Sequence, residues 1–124
     1  MLEAGIKGES RTTVSAANSA RTMGSGDLEV FATPSMVALM ENAAMNSVAG
    51  ELPEGSTTVG SLMNTTHIKP SKMGAEIVAT SELVAVEGRK LTFKIEAYDA
   101  EGTIGEGEHI RFVVDRQKFM AKLQ

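Results

Sequence analysis

Residues 33–50 read TPSMVALMENAAMNSVAG, and this stretch decides the fold. Thr33 is a good N-cap, Pro34 suits the first helical position, and Gly50 can close the far end. The pattern predicts a helix over 34–49, a rod of about 24 Å. Glu41 is its only ionisable side chain from Pro34 to Ala49. A helix with so little charge is expected to be buried on most sides.

The flanks supply what would bury it. Before the helix, residues 6–16 read as a polar, β-leaning strand, and residues 17–30, rich in Asn, Ser, Gly and Thr, as a loop. After Gly50, Pro53 and Gly55 the pattern turns to β. Strands are expected at 57–69, 75–86, 90–98 and 103–114, with turns at Pro70 and Gly74, at Glu87-Gly88, and at residues 99–102. On the last strand Ile104, Ile110, Phe112 and Val114 share one parity. Asp115 can cap a short terminal helix. Short hairpins make the later strands antiparallel. A single apolar helix beside such strands must be wrapped by a curved sheet, which is the order expected of an α+β hot-dog fold with a long central helix and five strands. One helix cannot cover that sheet, so an open edge or face is expected to meet a second subunit.

Composition sets the outer bounds. A chain of 124 residues fits one domain, 1–124, and its 42% apolar content is enough for a core. Aromatics are only 4% and Trp is absent, so Met, Val, Leu, Ile and Ala must fill most of the core. The eight Met residues suit irregular cores or adaptable apolar pockets. A net charge of -4 with dispersed Lys and Arg argues against general nucleic-acid binding. The absence of Cys removes disulfides, Cys-zinc sites and Cys nucleophiles. No signal-like apolar stretch opens the chain, and no run approaches the roughly 18 apolar residues of a membrane span. A cytoplasmic protein is the expectation.

Few residues stand out as chemistry. Glu41 has Val37, Ala38, Ala44 and Met45 as helical neighbours, so its carboxylate either reaches solvent at the helix edge or is put to use. His67, in Thr65-Thr66-His67-Ile68, is either a hydrogen-bonded structural residue or a proton carrier. His109, in Glu106-Gly107-Glu108-His109, reads as a solvated strand position beside two acids. Thr33 reads as a cap, although a helix start also offers oriented N–H groups to an oxyanion. Gly60 fits a bulge or a close backbone approach. Arg111 fits a surface salt bridge or a phosphate contact. Two histidines without tight spacing predict no metal, and the Gly-Glu-Gly-Glu-His stretch lacks the context of a phosphate loop.

These residues also form a known combination. Phe31-Ala32-Thr33-Pro34-Ser35-Met36, Glu41-Asn42-Ala43-Ala44, Thr57-Thr58-Val59-Gly60, Asn64-Thr65-Thr66-His67-Ile68-Lys69-Pro70 and Ile104-Gly105-Glu106-Gly107 resemble the fluoroacetyl-CoA thioesterase-like branch of the hot-dog thioesterases. The likeness runs from about Gly8 to Leu123, with eight residues from Thr33 to Glu41 and twenty-six from Glu41 to His67. The resemblance implies a catalytic set of Thr33, Glu41 and His67. It implies that Gly60 faces the thioester through its backbone N–H and that Arg111 is associated with coenzyme A. It further implies a homodimer, or a dimer of dimers, with the site at the subunit interface. The reaction implied is hydrolysis of an acyl-CoA to free acid and coenzyme A, with no cofactor beyond the coenzyme carried by the substrate.

One departure narrows the substrate. The fluoroacetyl enzyme has an aromatic lid before the helix, whereas Arg21 to Leu28 contains no aromatic residue. A short-chain acyl-CoA is therefore the expected substrate class. The rival expectations are a non-catalytic acyl-CoA-binding protein and a hot-dog hydratase or dehydratase. The latter favours an Asp/His pair in a hydratase motif that this chain lacks.

Overall fold

The turns in the second half of the chain are tight, and they set the topology. Gly88, at a φ of 64°, lets a two-residue turn join β3 (Glu76–Glu87) to β4 (Lys90–Asp99). Ala100 and Glu101 join β4 to β5 (Gly102–Asp115) in the same way. With β1 (Lys7–Thr13) and β2 (Ser56–Thr65), these strands form one sheet in the order β1-β3-β4-β5-β2, antiparallel throughout. This computed structural model describes residues 1–124. Three short helical segments precede the long helix or end the chain: a 3-10 turn at Ala16–Asn18, α1 (Ala20–Met23) and α3 (Arg116–Ala121).

The long helix α2 (Thr33–Ala49) lies against the sheet, touching β1, β3, β2 and β4. The hot-dog expectation is met: a curled five-stranded antiparallel sheet wraps one helix. Met36, Met40, Ala43, Ala44 and Val48 of α2 join Ile77, Leu83, Leu91, Phe93, Ile95 and Ile104 in one core cluster of 15 residues. Each large aliphatic or aromatic side chain fully buried there stabilises the fold by about 1.5–3 kcal/mol. Gly8 makes the close packing possible. A Cβ there would stand 2.4 Å from the Ala43 carbonyl oxygen, so β1 crosses the helix nearly in backbone contact.

Three local expectations need correction. Thr33 is not the cap: Ala32 takes that place, in extended conformation and with no side-chain cap bond, and Thr33 is the first helical residue. Its hydroxyl is therefore free for other work. The helix is also less buried than its composition suggests. Val37 and Met45 are half-buried, and Ala38 and Ala49 are exposed, because one sheet curls around only one side. Strand β2 ends at Thr65, four residues short of the expected end. The chain nevertheless runs on beside β5, with Thr66 N–H donating to Glu106 O at 3.0 Å and Ile68 N–H to Ile104 O at 2.7 Å.

The loop at 17–30 is partly ordered by serines. Ser15 and Asn18 form a capping box around the 3-10 turn, and Ser19 caps α1. The parity of β5 is the larger surprise. Phe112 is 37% exposed, whereas His109 and Arg111 are 1% and 5% exposed. The polar pair faces inward, and Glu106 and Glu108 face outward on the opposite parity.

Candidate active site

Position 33 starts the helix, and residue 67 lies just past β2, so the fold brings two distant residues together. The Thr33 Oγ1 and His67 Nδ1 are 2.7 Å apart. For the hydroxyl to donate to Nδ1, the proton of the neutral imidazole must sit on Nε2, and Nε2 is buried without a hydrogen-bond partner. Burial pushes the His67 pKa below the ordinary imidazole value, and the nearby Lys69 backbone only partly opposes it. The ring is thus a free base at neutral pH, set against a hydroxyl.

The segment that carries His67 is anchored. Two residues on, Lys69 Nζ lies 3.0 and 3.1 Å from the two Asp99 carboxylate oxygens, and Ser71 Oγ donates to Asp99 at 3.1 Å. Burial alone would raise the Asp99 pKa. Lys69, the Glu101 N–H and Ser71 together hold it below the ordinary carboxylate range.

A second cluster lies two helical turns away. Glu41 reaches toward β2 and β5, where its Oε2 is 3.8 Å from Arg111 Nη1, an ion pair without a hydrogen bond. The Glu41 side chain stays 41% exposed, whereas the Arg111 side chain is 6% exposed. Arg111 is fixed from several sides. Its Nε donates to Thr58 Oγ1 at 2.7 Å, its Nη2 to Thr58 O at 2.9 Å, and its Nη1 meets His109 Nε2 at 3.2 Å. Nδ1 of His109 lies 2.7 Å from Leu62 O, so that nitrogen carries the proton and Nε2 accepts from Arg111. Burial lowers the His109 pKa, with the Leu62 bond opposing and the Arg111 charge adding to the fall. Burial also lowers the Arg111 pKa, while the Glu41 charge raises it.

Gly60 completes this cluster. It is exposed and sits at a register shift between β2 and β5. A Cβ there would lie 2.8 Å from Glu41 Oε2, 3.3 Å from His109 Cε1 and 3.4 Å from Arg111 Nη1. The missing side chain leaves the carboxylate room to rest against the strand.

Within one chain, then, the expected set divides. Thr33 and His67 meet, and Glu41 meets Gly60 and Arg111. Thr33 and Glu41 are roughly 12 Å apart along the helix axis. They share its incompletely covered side, with Val37 between them. Two sequence readings fail here. His109 is not solvated, because its acidic neighbours point to the other face, and Arg111 is not a surface residue. The signal was available in the alternation of Glu106, Glu108 against His109, Arg111. Thr58 carried no signal of its own. No group of three or more His, Asp or Glu side chains is placed to hold a metal ion, and no helix is long and apolar enough to cross a membrane.

Comparison with known proteins bears on this geometry. The family model for the fluoroacetyl-CoA-specific thioesterase matches residues 14–117. The fluoroacetyl-CoA thioesterase of Streptantibioticus cattleyicolor is 40% identical over 96 residues, which is 77% of this chain and 69% of that protein. A solved structure of the fluoroacetyl-CoA thioesterase superposes with a TM-score of 0.92 at 32% identity, covering 99% of this chain and 96% of that one. A Thermus thermophilus member of the thioesterase superfamily superposes at 0.90 with 25% identity, covering 99% and 91%.

Proposed function

We infer that this chain, which belongs to the fluoroacetyl-CoA-specific thioesterase family, is an acyl-CoA thioesterase that hydrolyses a short-chain acyl-CoA to the free acid and coenzyme A. The observation that carries the chemistry is the 2.7 Å contact between Thr33 Oγ1 and a neutral His67.

A hydroxyl hydrogen-bonded to a free base is an activated nucleophile. Thr33 Oγ1 attacks the thioester carbonyl and its proton passes to His67 Nδ1. The tetrahedral oxyanion is stabilised by backbone N–H groups, those of Gly60 or the start of α2. Collapse breaks the C–S bond, and the departing thiolate takes the proton from His67. Water, with Glu41 as its base, then cleaves the acyl-Thr33 ester to acid and regenerated hydroxyl.

Glu41 stands too far from Thr33 of its own chain for that second step. The shape of the sheet supports a remedy. Strand β2 ends the sheet, and its outer edge is free to pair. A two-fold antiparallel pairing of β2 with β2 of a second copy would run the Gly60 end of one strand beside the His67 end of the other. Each site then takes Thr33 and His67 from one copy and Glu41 and Gly60 from the other. Arg111 acts from below, fixing Glu41 and His109.

The lid segment argues for a general short-chain substrate. From Arg21 to Leu28 it presents exposed Met23 and Leu28 and no aromatic ring. Thiol release from acyl-CoA esters of graded chain length tests the reading. Short chains should be cleaved, and Thr33→Ala, His67→Ala and Glu41→Ala should each remove most activity. No thiol release from any chain length would end it.

A further inference from the structure

Asp99 is a buried acid that the chemistry inferred above does not use. It ends β4, and its side chain is 6% exposed. Four contacts converge on its two oxygens. Oδ1 accepts from Glu101 N–H at 2.8 Å and from Lys69 Nζ at 3.0 Å. Oδ2 accepts from Lys69 Nζ and from Ser71 Oγ, both at 3.1 Å. Burial works against the charge, and these donors keep the group ionised at neutral pH. An ion pair with one member so buried adds little net stability, because desolvation offsets its attraction. What it does fix is geometry.

That geometry lies next to the reacting pair. His67 is two residues before Lys69. Past Ile68, whose N–H donates to Ile104 O at 2.7 Å, residues 69–71 make no backbone hydrogen bond to any strand. Asp99 supplies their hydrogen-bonded ties to the sheet. The same segment carries the approach to Thr33. Ser71 O accepts at 3.0 Å from the N–H of Phe31, two residues before Thr33, and Val30 pairs with Lys72 alongside. One carboxylate therefore anchors the strip from which both the His67 and the Thr33 backbones are held.

We propose that Asp99 is a positioning residue for the Thr33–His67 pair: by clamping Lys69 and Ser71 to the β4–β5 turn, it sets the 2.7 Å contact between Thr33 Oγ1 and His67 Nδ1. Asp99 acts through that pair and needs no contact with substrate. Its effect on rate rests on the thioesterase reading; its effect on the contact does not.

Asp99→Asn keeps the shape and an acceptor for Glu101 N–H but loses the charge that holds Lys69. A reacting group displaced by about 1 Å can cost about 100-fold in rate. We expect kcat to fall at least about tenfold, with KM for the acyl-CoA unchanged. Ser71→Ala removes one donor, leaves the ion pair, and should lower kcat by a smaller factor. Lys69→Arg keeps the pair and should keep wild-type kcat. A second readout needs no activity. The Nδ1 resonance of His67 in nitrogen-15 spectra reports the bond from the Thr33 hydroxyl, and Thr33→Val marks where it lies once that bond is lost. In Asp99→Asn the resonance should move toward the Thr33→Val position, and in Lys69→Arg it should stay. An unmoved resonance in folded Asp99→Asn would overturn the proposal whether or not kcat fell. Should that variant fail to fold, an unmoved resonance in Ser71→Ala would do the same. A moved resonance in Asp99→Asn, when the wild type releases no thiol from any acyl-CoA, would keep the clamp and remove the thioesterase reading.

Discussion

Replacing Gly60 with Ala should damage the chemistry while sparing the fold. The added Cβ would stand 2.8 Å from Glu41 Oε2, and an ordinary contact begins near 3.4 Å, so the carboxylate must give way by about 0.6 Å. It can do so cheaply, because Glu41 is a flexible side chain with 41% of its surface exposed. His109 Cε1 at 3.3 Å and Arg111 Nη1 at 3.4 Å are tight but tolerable. Stability should therefore change by less than about 1 kcal/mol, helped by the lower backbone entropy of Ala in the unfolded chain. Catalysis is less forgiving, since displacements of this order in a reacting group cost about 10–100-fold in rate. We expect kcat to fall by that factor, about 1.4–2.7 kcal/mol, with the melting temperature nearly unchanged. Glu41→Gln supplies the control. If Gly60→Ala acts through Glu41, the double variant should be no slower than Glu41→Gln alone. Wild-type kcat in a folded Gly60→Ala protein would refute the placement of Glu41 in the reaction. Full additivity in the double variant would show that Gly60 acts by another route.

Two further predictions concern the fold. Gly8→Ala places a Cβ 2.4 Å from the Ala43 carbonyl oxygen, backbone that cannot swing aside, and 2.6 Å from Ser47 Cβ on the same helix. Overpacking of this kind costs about 1–3 kcal/mol, and denaturant titration should show a loss in that range; a neutral result would mean β1 does not cross α2 this closely. The second concerns pH. His67 and His109 both have lowered pKa values in the fold, so the unfolded chain binds more protons below about pH 6.5. Their contribution to stability is complete above that pH and is lost as pH falls toward the folded-state values. The slope from His109 can be at most about 1.4 kcal/mol per pH unit, the limit for one proton, and His109→Gln should flatten it in denaturant titrations between neutral and mildly acidic pH. An equal slope in that variant would sink the assignment.

The fold was legible because few alternatives suit an almost charge-free helix of this length followed by hairpins with Glu87-Gly88 and Asp99 to Gly102 turns. Strand existence follows from local alternation, so the sheet could be read without the structure. Which face of a strand turns inward is set by bulges and by what lies opposite. That is why the aliphatic parity of β5 suggested the wrong face and His109 was misread as solvated. Thr33 illustrates the same limit. Its sequence context fits a cap, but capping depends on backbone geometry one residue away, where Ala32 takes the extended conformation. Pairing Thr33 with His67 needs a contact across 34 residues of chain, which local pattern cannot supply. It was visible only through the spacing shared with a known family.

The division of the site across two copies makes the most specific claim, and complementation tests it directly. Thr33→Ala and Glu41→Gln should each be inactive alone, because every site then lacks its nucleophile or its base. In a mixture allowed to exchange subunits at random, half the dimers carry one of each. A mixed dimer has one site that takes Thr33 from the Glu41→Gln copy and Glu41 from the Thr33→Ala copy, and that site is intact. Its other site lacks both groups. Activity should therefore recover to about a quarter of wild type, with half the dimers each contributing one of two sites. Were Thr33 and Glu41 to work within a single chain, each mixed dimer would hold two singly damaged sites and no activity would return. Thr33 and Glu41 lie on one helix roughly 12 Å apart, so a rigid α2 cannot bring them onto one thioester. Recovery near a quarter would thus also locate the free edge of β2 at the subunit boundary, and its absence in an exchanging dimer would remove both claims together.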